Sequence, residues 1–251
     1  MTAAAPLDGL TAVITGGAKG IGLATARRLA ADGAAIALIG RDLSALAAAA
    51  GALGARYACA DVTDAAALAA ALAALGPCDL LVNNAGAALS RPFLRHTAED
   101  FQAMLAVHLL GPVAACAAVL PGMRARGFGR IVNIASTAGL RGYAYVTAYV
   151  AAKHALVGFT RALAQEAATD GITVNAVCPG FTDTDLLARS AATIAAATGR
   201  SAQDATALLA RSNPAGRLVA PAEVAAAVAF LCRRDAAAMT GQAIAVACGE
   251  T

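Results

Sequence analysis

Short apolar runs alternate with longer alanine-rich stretches along this 251-residue chain, and that alternation is its strongest constraint. The spacing predicts strands over 10–15, 34–39, 56–60, 80–83, 130–135, 172–178 and 243–246. Helices are predicted near 20–32, 43–53, 65–75, 98–123, 148–169 and 222–231, with a less regular stretch over 184–210. Strands that are apolar throughout have no face to turn to water, so helices must cover both sides of a parallel sheet. Roughly three residues in ten are alanine, a residue of high helix propensity that lets helices pack closely. Asp61, Thr63 and Asp64 supply capping side chains where the third helix opens. The length fits one large domain over 1–251, and the expected class is α/β, doubly wound around a parallel seven-stranded sheet.

Bulk properties exclude several functions. Lys+Arg 19 against Asp+Glu 16 gives a net charge of +3; with no basic run, no nucleic-acid partner is expected. The six cysteines (Cys59, Cys78, Cys116, Cys178, Cys232 and Cys248) lie far apart, without a CxxC pair or a histidine at ligand spacing. Neither a metal site nor a disulfide framework is expected, and reduced thiols in a cytoplasmic setting are. The first residues, MTAAAPLDG, lack the basic segment and apolar stretch of a secretory signal. Residues 103–120 are almost all apolar but carry His108, Gly111 and Pro112, so a buried helix is expected there, with no membrane span.

The first strand runs into Thr15-Gly16-Gly17-Ala18-Lys19-Gly20-Ile21-Gly22, and a helical pattern follows. Glycines there let the backbone turn sharply and approach a pyrophosphate, and the free amides at the helix start attract its charge. The spacing Gly-x3-Gly-x-Gly differs from the general dinucleotide fingerprint, but its position after the first strand favours a dinucleotide. The second strand ends in Gly40-Arg41, where an NAD-preferring site usually places a carboxylate. A guanidinium at that point suits a 2′-phosphate, and Lys19 can approach the same group; Asp42 dilutes the charge. NADP(H) is expected to be preferred, with NAD(H) as the alternative.

The fifth strand ends at Ser136; Tyr149 follows thirteen residues later, and Lys153 stands at i+4 from Tyr149, on the same helix face. With these residues in place the chain resembles the short-chain dehydrogenase/reductase family, in its branch of about 250 residues. The shared motifs are TGGAKGIG at 15–22, Asn83-Asn84-Ala85-Gly86, Ser136, Tyr149-x3-Lys153, and Pro179-Gly180 with Thr184. Several segments are similar to bacterial β-ketoacyl-thioester and aromatic polyketide ketoreductases. The chemistry of the three residues stands on its own as well. A tyrosine can hand a proton to a carbonyl oxygen if its pKa of about 10 falls; an ammonium about 4 Å away supplies enough field to lower it. Lys153 is placed for that, and Ser136 can hold the oxygen by a hydrogen bond.

The resemblance implies a Rossmann-type fold, a homotetramer and further contacts. Asp61 and Val62 would bind the adenine. Asn83, Ala85 and Gly86 would lie along the ribose, although the Asn83-Asn84 pair can equally tie strands together. Pro179, Gly180, Thr182 and Thr184 would border the nicotinamide, and Lys153 would also bond its ribose. One departure is His108, where the family usually has an asparagine that shapes a helix kink and holds a water. A histidine there can keep that water, relay protons itself, or stand as a tolerated replacement satisfied by a backbone carbonyl. A substrate pocket is expected between 87–95, 137–145 and 181–210, lined by Phe93, Leu140, Tyr143, Tyr145, Phe181 and Leu187, with 184–210 as a lid. The expected reaction interconverts a ketone, best a 3-oxoacyl thioester on CoA or a carrier protein, and a secondary alcohol. The alternatives are a dehydrogenase of a cyclic, aryl or steroid-like alcohol, and a nucleotide sensor without catalysis. Arg91, Arg95 and Arg141 are either contacts for a thioester's phosphate or solvated charges.

Overall fold

The computed structural model describes residues 5–251. Seven strands form one parallel sheet: β1 (Thr11–Thr15), β2 (Ala35–Gly40), β3 (Arg56–Cys59), β4 (Leu80–Asn83), β5 (Gly129–Ile134), β6 (Ile172–Pro179) and β7 (Ala243–Val246), in the order β3-β2-β1-β4-β5-β6-β7. Nine α-helices accompany them among the described residues: α1 (Gly20–Ala31), α2 (Leu43–Leu53), α3 (Ala65–Leu75), α4 (Ala98–Leu105), α5 (Gly111–Arg126), α6 (Thr147–Ala167), α7 (Asp185–Thr198), α8 (Ala202–Ser212) and α9 (Pro221–Cys232). This is the Rossmann-type doubly wound fold expected from the alternation.

Side chains that alternate along each strand divide the core into two layers. Ile14, Leu38, Val82 and Val132 face one side, where they pack with Leu29 of α1, Leu46 of α2 and Val228 of α9. Their neighbours Val13, Ile39, Leu81 and Ile131 face the other, against Leu72 of α3, Met123 of α5 and Leu163 of α6. Asp42 caps α2 by accepting from the Ala45 amide, and Asp64 caps α3 by accepting from the Ala66 and Ala67 amides. Chain order reverses between β1 and β4, which opens a crevice at the carboxyl ends of the strands.

Two stretches differ from the sequence expectation. The helix predicted over 98–123 is interrupted by a π-helical turn at Ala106–Leu110. Pro112 explains the break, because it lacks the amide that would bond the His108 carbonyl and its ring crowds that carbonyl. The stretch over 184–210 is two regular helices, α7 and α8, separated at Gly199 in a left-handed conformation with φ +70°. Across its interruption, Ala98–Arg126 is long and apolar enough to cross a membrane, with a mean hydropathy of 2.1. One side of it packs on α3 and α6, and Leu110 on the other is exposed.

Candidate active site

At the crevice, Thr15 ends β1 and the next residue turns with φ +64°, a left-handed conformation that glycine adopts without strain. Asn84 locks the turn from β4: its side-chain amide donates to the carbonyls of Thr15 (3.0 Å) and Gly16 (3.1 Å). Gly22 packs so tightly beneath it that a Cβ there would come within 2.3 Å of the Gly16 carbonyl oxygen. The N-terminus of α1 therefore sits directly behind the turn, and no side chain caps it. These open amides at the start of a 12-residue helix fit a phosphate. Beside them lies a cleft of about 470 Å³ lined by Gly16, Arg41, Asp61, Val62, Ala85 and Gly86, among others. Six residues expected at a nucleotide thus share one cavity, and Lys19, Gly20, Ile21 and Gly22 stand at the adjoining turn. Uncapped amides, glycine cradle and cleft together fit a dinucleotide.

The two expected phosphate-binding cations are paired with acids. Arg41 reaches Asp61 at 3.3 Å and Lys19 reaches Asp42 at 2.9 Å, both on the surface. The Arg41 guanidinium and, more strongly, the Thr63 amide hold the Asp61 carboxyl below its ordinary pKa.

Other positions make contacts within the protein. Asn83 is buried and its amide donates to Asn133 Oδ1 (2.9 Å), so the side chain ties β4 to β5, the second of the two roles expected for it. The Thr182 hydroxyl donates to the Gly180 carbonyl, and the Thr184 hydroxyl donates to the Thr182 carbonyl and caps α7 by accepting from the Leu187 amide. Pro179 ends β6 beside Val246, and Gly180 packs against Ala247. Of the expected pocket residues, Phe93 and Tyr145 are exposed, Leu187 is buried with Ala191 and Leu209 between α7 and α8, and Tyr143 meets Phe181 edge-on. Arg91 pairs with Asp100 at 3.1 Å, and the ring of His96 is buried beside the same carboxylate.

Ser136 follows β5, and its Oγ accepts from the Ala138 amide. Tyr149 and Lys153 lie one turn apart on α6. Lys153 is buried; its Nζ donates to the Ile134 carbonyl at 2.7 Å and stands 5.6 Å from the centre of the Tyr149 ring. His108, at the π-turn, meets the Tyr149 ring edge-on, 5.1 Å between centres.

The short chain dehydrogenase family model matches residues 10–195. The chain is 37% identical over 245 residues to a D-beta-hydroxybutyrate dehydrogenase of Cupriavidus necator, covering 94% of this chain and 95% of that one. It is 35% identical over 246 residues to a 3-oxoacyl-acyl-carrier-protein reductase of Vibrio harveyi, covering 96% of each. Among solved structures it is similar to a variant of actinorhodin polyketide ketoreductase with NADPH, with a TM-score of 0.92 at 38% identity over 96% of this chain and 97% of that one. The chain belongs to the short-chain dehydrogenase family. It is an oxidoreductase, built for a nucleotide cofactor.

In this short-chain dehydrogenase the electrostatics depart from the sequence expectation. Burial pushes the Tyr149 hydroxyl above its ordinary pKa, and the nearby Ser136 hydroxyl pulls it back in part. Burial also lowers the Lys153 ammonium to about 7, so near neutrality the lysine carries only part of its charge. Its Nζ is bonded to the Ile134 carbonyl and stands 5.6 Å from the centre of the Tyr149 ring, and burial works against its charge. Cys178, a position to which the sequence reading gave no role, lies near both groups; burial pushes its thiol up to about 11. Its only sequence signal was its place at the end of the sixth strand.

His108 is also held neutral. Burial first and the Lys153 charge second put its pKa well below the usual imidazole range. Its Nε2 lies 2.7 Å from the Ala87 carbonyl oxygen, which requires the proton on that nitrogen, and Nδ1 is buried without a partner.

The lowered lysine ties stability to pH. Folded Lys153 releases its proton near pH 7, whereas an unfolded lysine does so near pH 10.4. Between these values the unfolded chain binds more protons, so this residue's contribution to stability improves as pH rises. The urea midpoint of the wild type should therefore gain on that of Lys153→Met between pH 7 and pH 9. A pH-independent difference between the two would contradict the assignment.

Proposed function

We propose that this chain catalyses the NADP(H)-dependent interconversion of a ketone, best a 3-oxoacyl thioester or a related ketone, and its secondary alcohol. The observation that carries this reading is that Ser136, Tyr149 and Lys153 gather at the end of β5, on the same edge of the parallel sheet as the glycine turn that ends β1 and the cleft beside it. Bound NADPH supplies the hydride. Tyr149 gives its hydroxyl proton to the carbonyl oxygen, and Ser136 donates a hydrogen bond that holds that oxygen in place. Lys153 adds positive potential and joins the nucleotide's ribose. His108, neutral and locked by Ala87, supports Tyr149 through the edge-on contact of the two rings; a charged relay does not suit an imidazole so hard to protonate.

The preference for NADP(H) draws on Arg41 and Lys19. Their present partners are exposed carboxylates, and exposed ion pairs contribute little to stability. A doubly charged 2′-phosphate can therefore recruit both cations at small cost, and the similar ketoreductase structure contains NADPH. The similarity to a carrier-protein reductase supports a thioester substrate. We assign the lid to α7 and α8, whose side chains form a small core of their own around Leu187, Ala191, Ala205 and Leu209. Assembly as a homotetramer would cover the exposed apolar side of Ala98–Arg126.

Three measurements test this reading. In a panel of acetoacetyl-CoA with cyclic and aryl ketones, each with both nicotinamides, the thioester should turn over with a higher kcat/KM for NADPH than for NADH. Fast turnover of a cyclic or aryl ketone alone would favour the alternative dehydrogenase, and equal or better use of NADH would reject the nucleotide preference. Tyr149→Phe should lose nearly all turnover while still binding NADPH, whereas His108→Asn should keep the pH profile of the wild type. Retained activity in the first variant overturns the proton donor, and an altered profile in the second restores a relay. Light scattering should give the mass of four chains; a stable monomer would refute the assembly.

A further inference from the structure

Beyond these residues, the chain's last turn brings a carboxylate against the loop that follows Ser136. Glu250 Oε1 lies 2.6 Å from the Tyr143 hydroxyl oxygen, which in turn lies 2.8 Å from Thr137 Oγ1. A phenol has one proton and an ionised carboxylate can only accept, so Tyr143 donates to Glu250 and accepts from Thr137. Thr137 is buried, follows Ser136 directly, and accepts the Leu140 and Arg141 amides at its carbonyl. Arg141 reaches back from the same loop to the Glu250 carbonyl at 3.2 Å and lies over the Tyr143 ring.

The carboxylate is itself held in place. Cys248 adopts φ +52°, a left-handed conformation unusual for a residue with a side chain, and Gly249 follows at φ +92°. The Cys248 carbonyl accepts from the Ala215 amide beyond α8. The second carboxylate oxygen, Oε2, is buried without a partner, an arrangement with a desolvation cost that only a fixed geometry would retain. Burial and the Glu250 carboxylate together push the Tyr143 phenol up to about 12, so it remains a donor.

We propose that Glu250 is a positioning residue for the reaction: through Tyr143 and Thr137 it fixes the loop that presents Ser136 to the substrate's carbonyl oxygen. This rests on the ketone-reduction reading. Glu250→Ala and Tyr143→Phe each break the link, whereas Glu250→Gln keeps an acceptor for Tyr143. Glu250→Ala should raise the KM for the ketone about tenfold, the typical loss for one charge-assisted hydrogen bond, with the nucleotide's KM unchanged. Glu250→Gln should stay within about twofold of wild type, and the double variant Glu250→Ala/Tyr143→Phe should be no worse than the more damaged single one, because both act through one contact. Additive losses, an equal loss in Glu250→Gln, or a change confined to the nucleotide's KM would overturn the proposal. Amide hydrogen exchange gives a readout independent of turnover. Exchange over 136–143 should quicken in Glu250→Ala and in Tyr143→Phe and stay unchanged over 15–22. Unaltered exchange over 136–143 sinks the proposal whatever the substrate; quickened exchange in a protein that reduces no ketone sustains the coupling and counts against the substrate reading alone.

Discussion

Between β4, β5 and α6 runs a chain of buried side-chain hydrogen bonds. Asn83 donates to Asn133, Asn133 donates to Thr160, and Thr160 donates to the Leu156 carbonyl one turn back along its own helix. Each bond lies where an unmet polar group would cost more than the bond contributes, so the three side chains hold one another in a single arrangement. What they fix is the rotation of α6 against the sheet. Tyr149, Lys153, Leu156 and Thr160 recur at helical spacing on one stripe of that helix. Anchoring Thr160 to β5 therefore also turns Lys153 toward the Ile134 carbonyl and places Tyr149 beside the strand end that carries Ser136.

A second constraint lies at the seam between β1 and β4, where the chain order reverses. Asn84 bonds the carbonyls of both residues at the turn, and Thr15 Oγ1 accepts the amides of Asn84 and Ala85. The turn is thus saturated from the β4 side, and its other side faces the uncapped start of α1. Neighbouring asparagines divide the labour: Asn83 points into the sheet and supports the reacting helix, and Asn84 points across the seam and supports the phosphate turn.

The sheet, its two covered faces and the strand bounds were legible because alternation and length are local signals that the core obeys. Glycine spacing and the Ser136, Tyr149 and Lys153 set were legible for the same reason, since each motif sits on one element. What the sequence hid depends on contacts across the fold. Pro112 was visible, but the π-turn it causes requires knowing that a helix continues through it. Glu250 lies 107 positions from the tyrosine it meets, and no pattern joins them. Asn83 and Thr184 have the right residue types in the right order, yet their side chains are committed to Asn133 and to the start of α7. Sequence gives Arg41 and Lys19 as cations near the phosphate turn but not their distances to Asp61 and Asp42.

Burial works against the field expected at Tyr149. A field estimate from spacing treats the lysine as a fixed unit charge, but the same burial that strengthens the field also disfavours the charge. Tyr149, Lys153 and His108 are each pushed toward their uncharged forms, all with burial as the largest cause. The chain by itself supplies position and a poorly solvated environment for these three groups. In such surroundings a positive charge entering the cleft acts on the phenol far more strongly than it would through water. Packing and buried hydrogen bonds hold the three groups in register, so any charge near Tyr149, the Lys153 ammonium included, acts on the phenol from a fixed place.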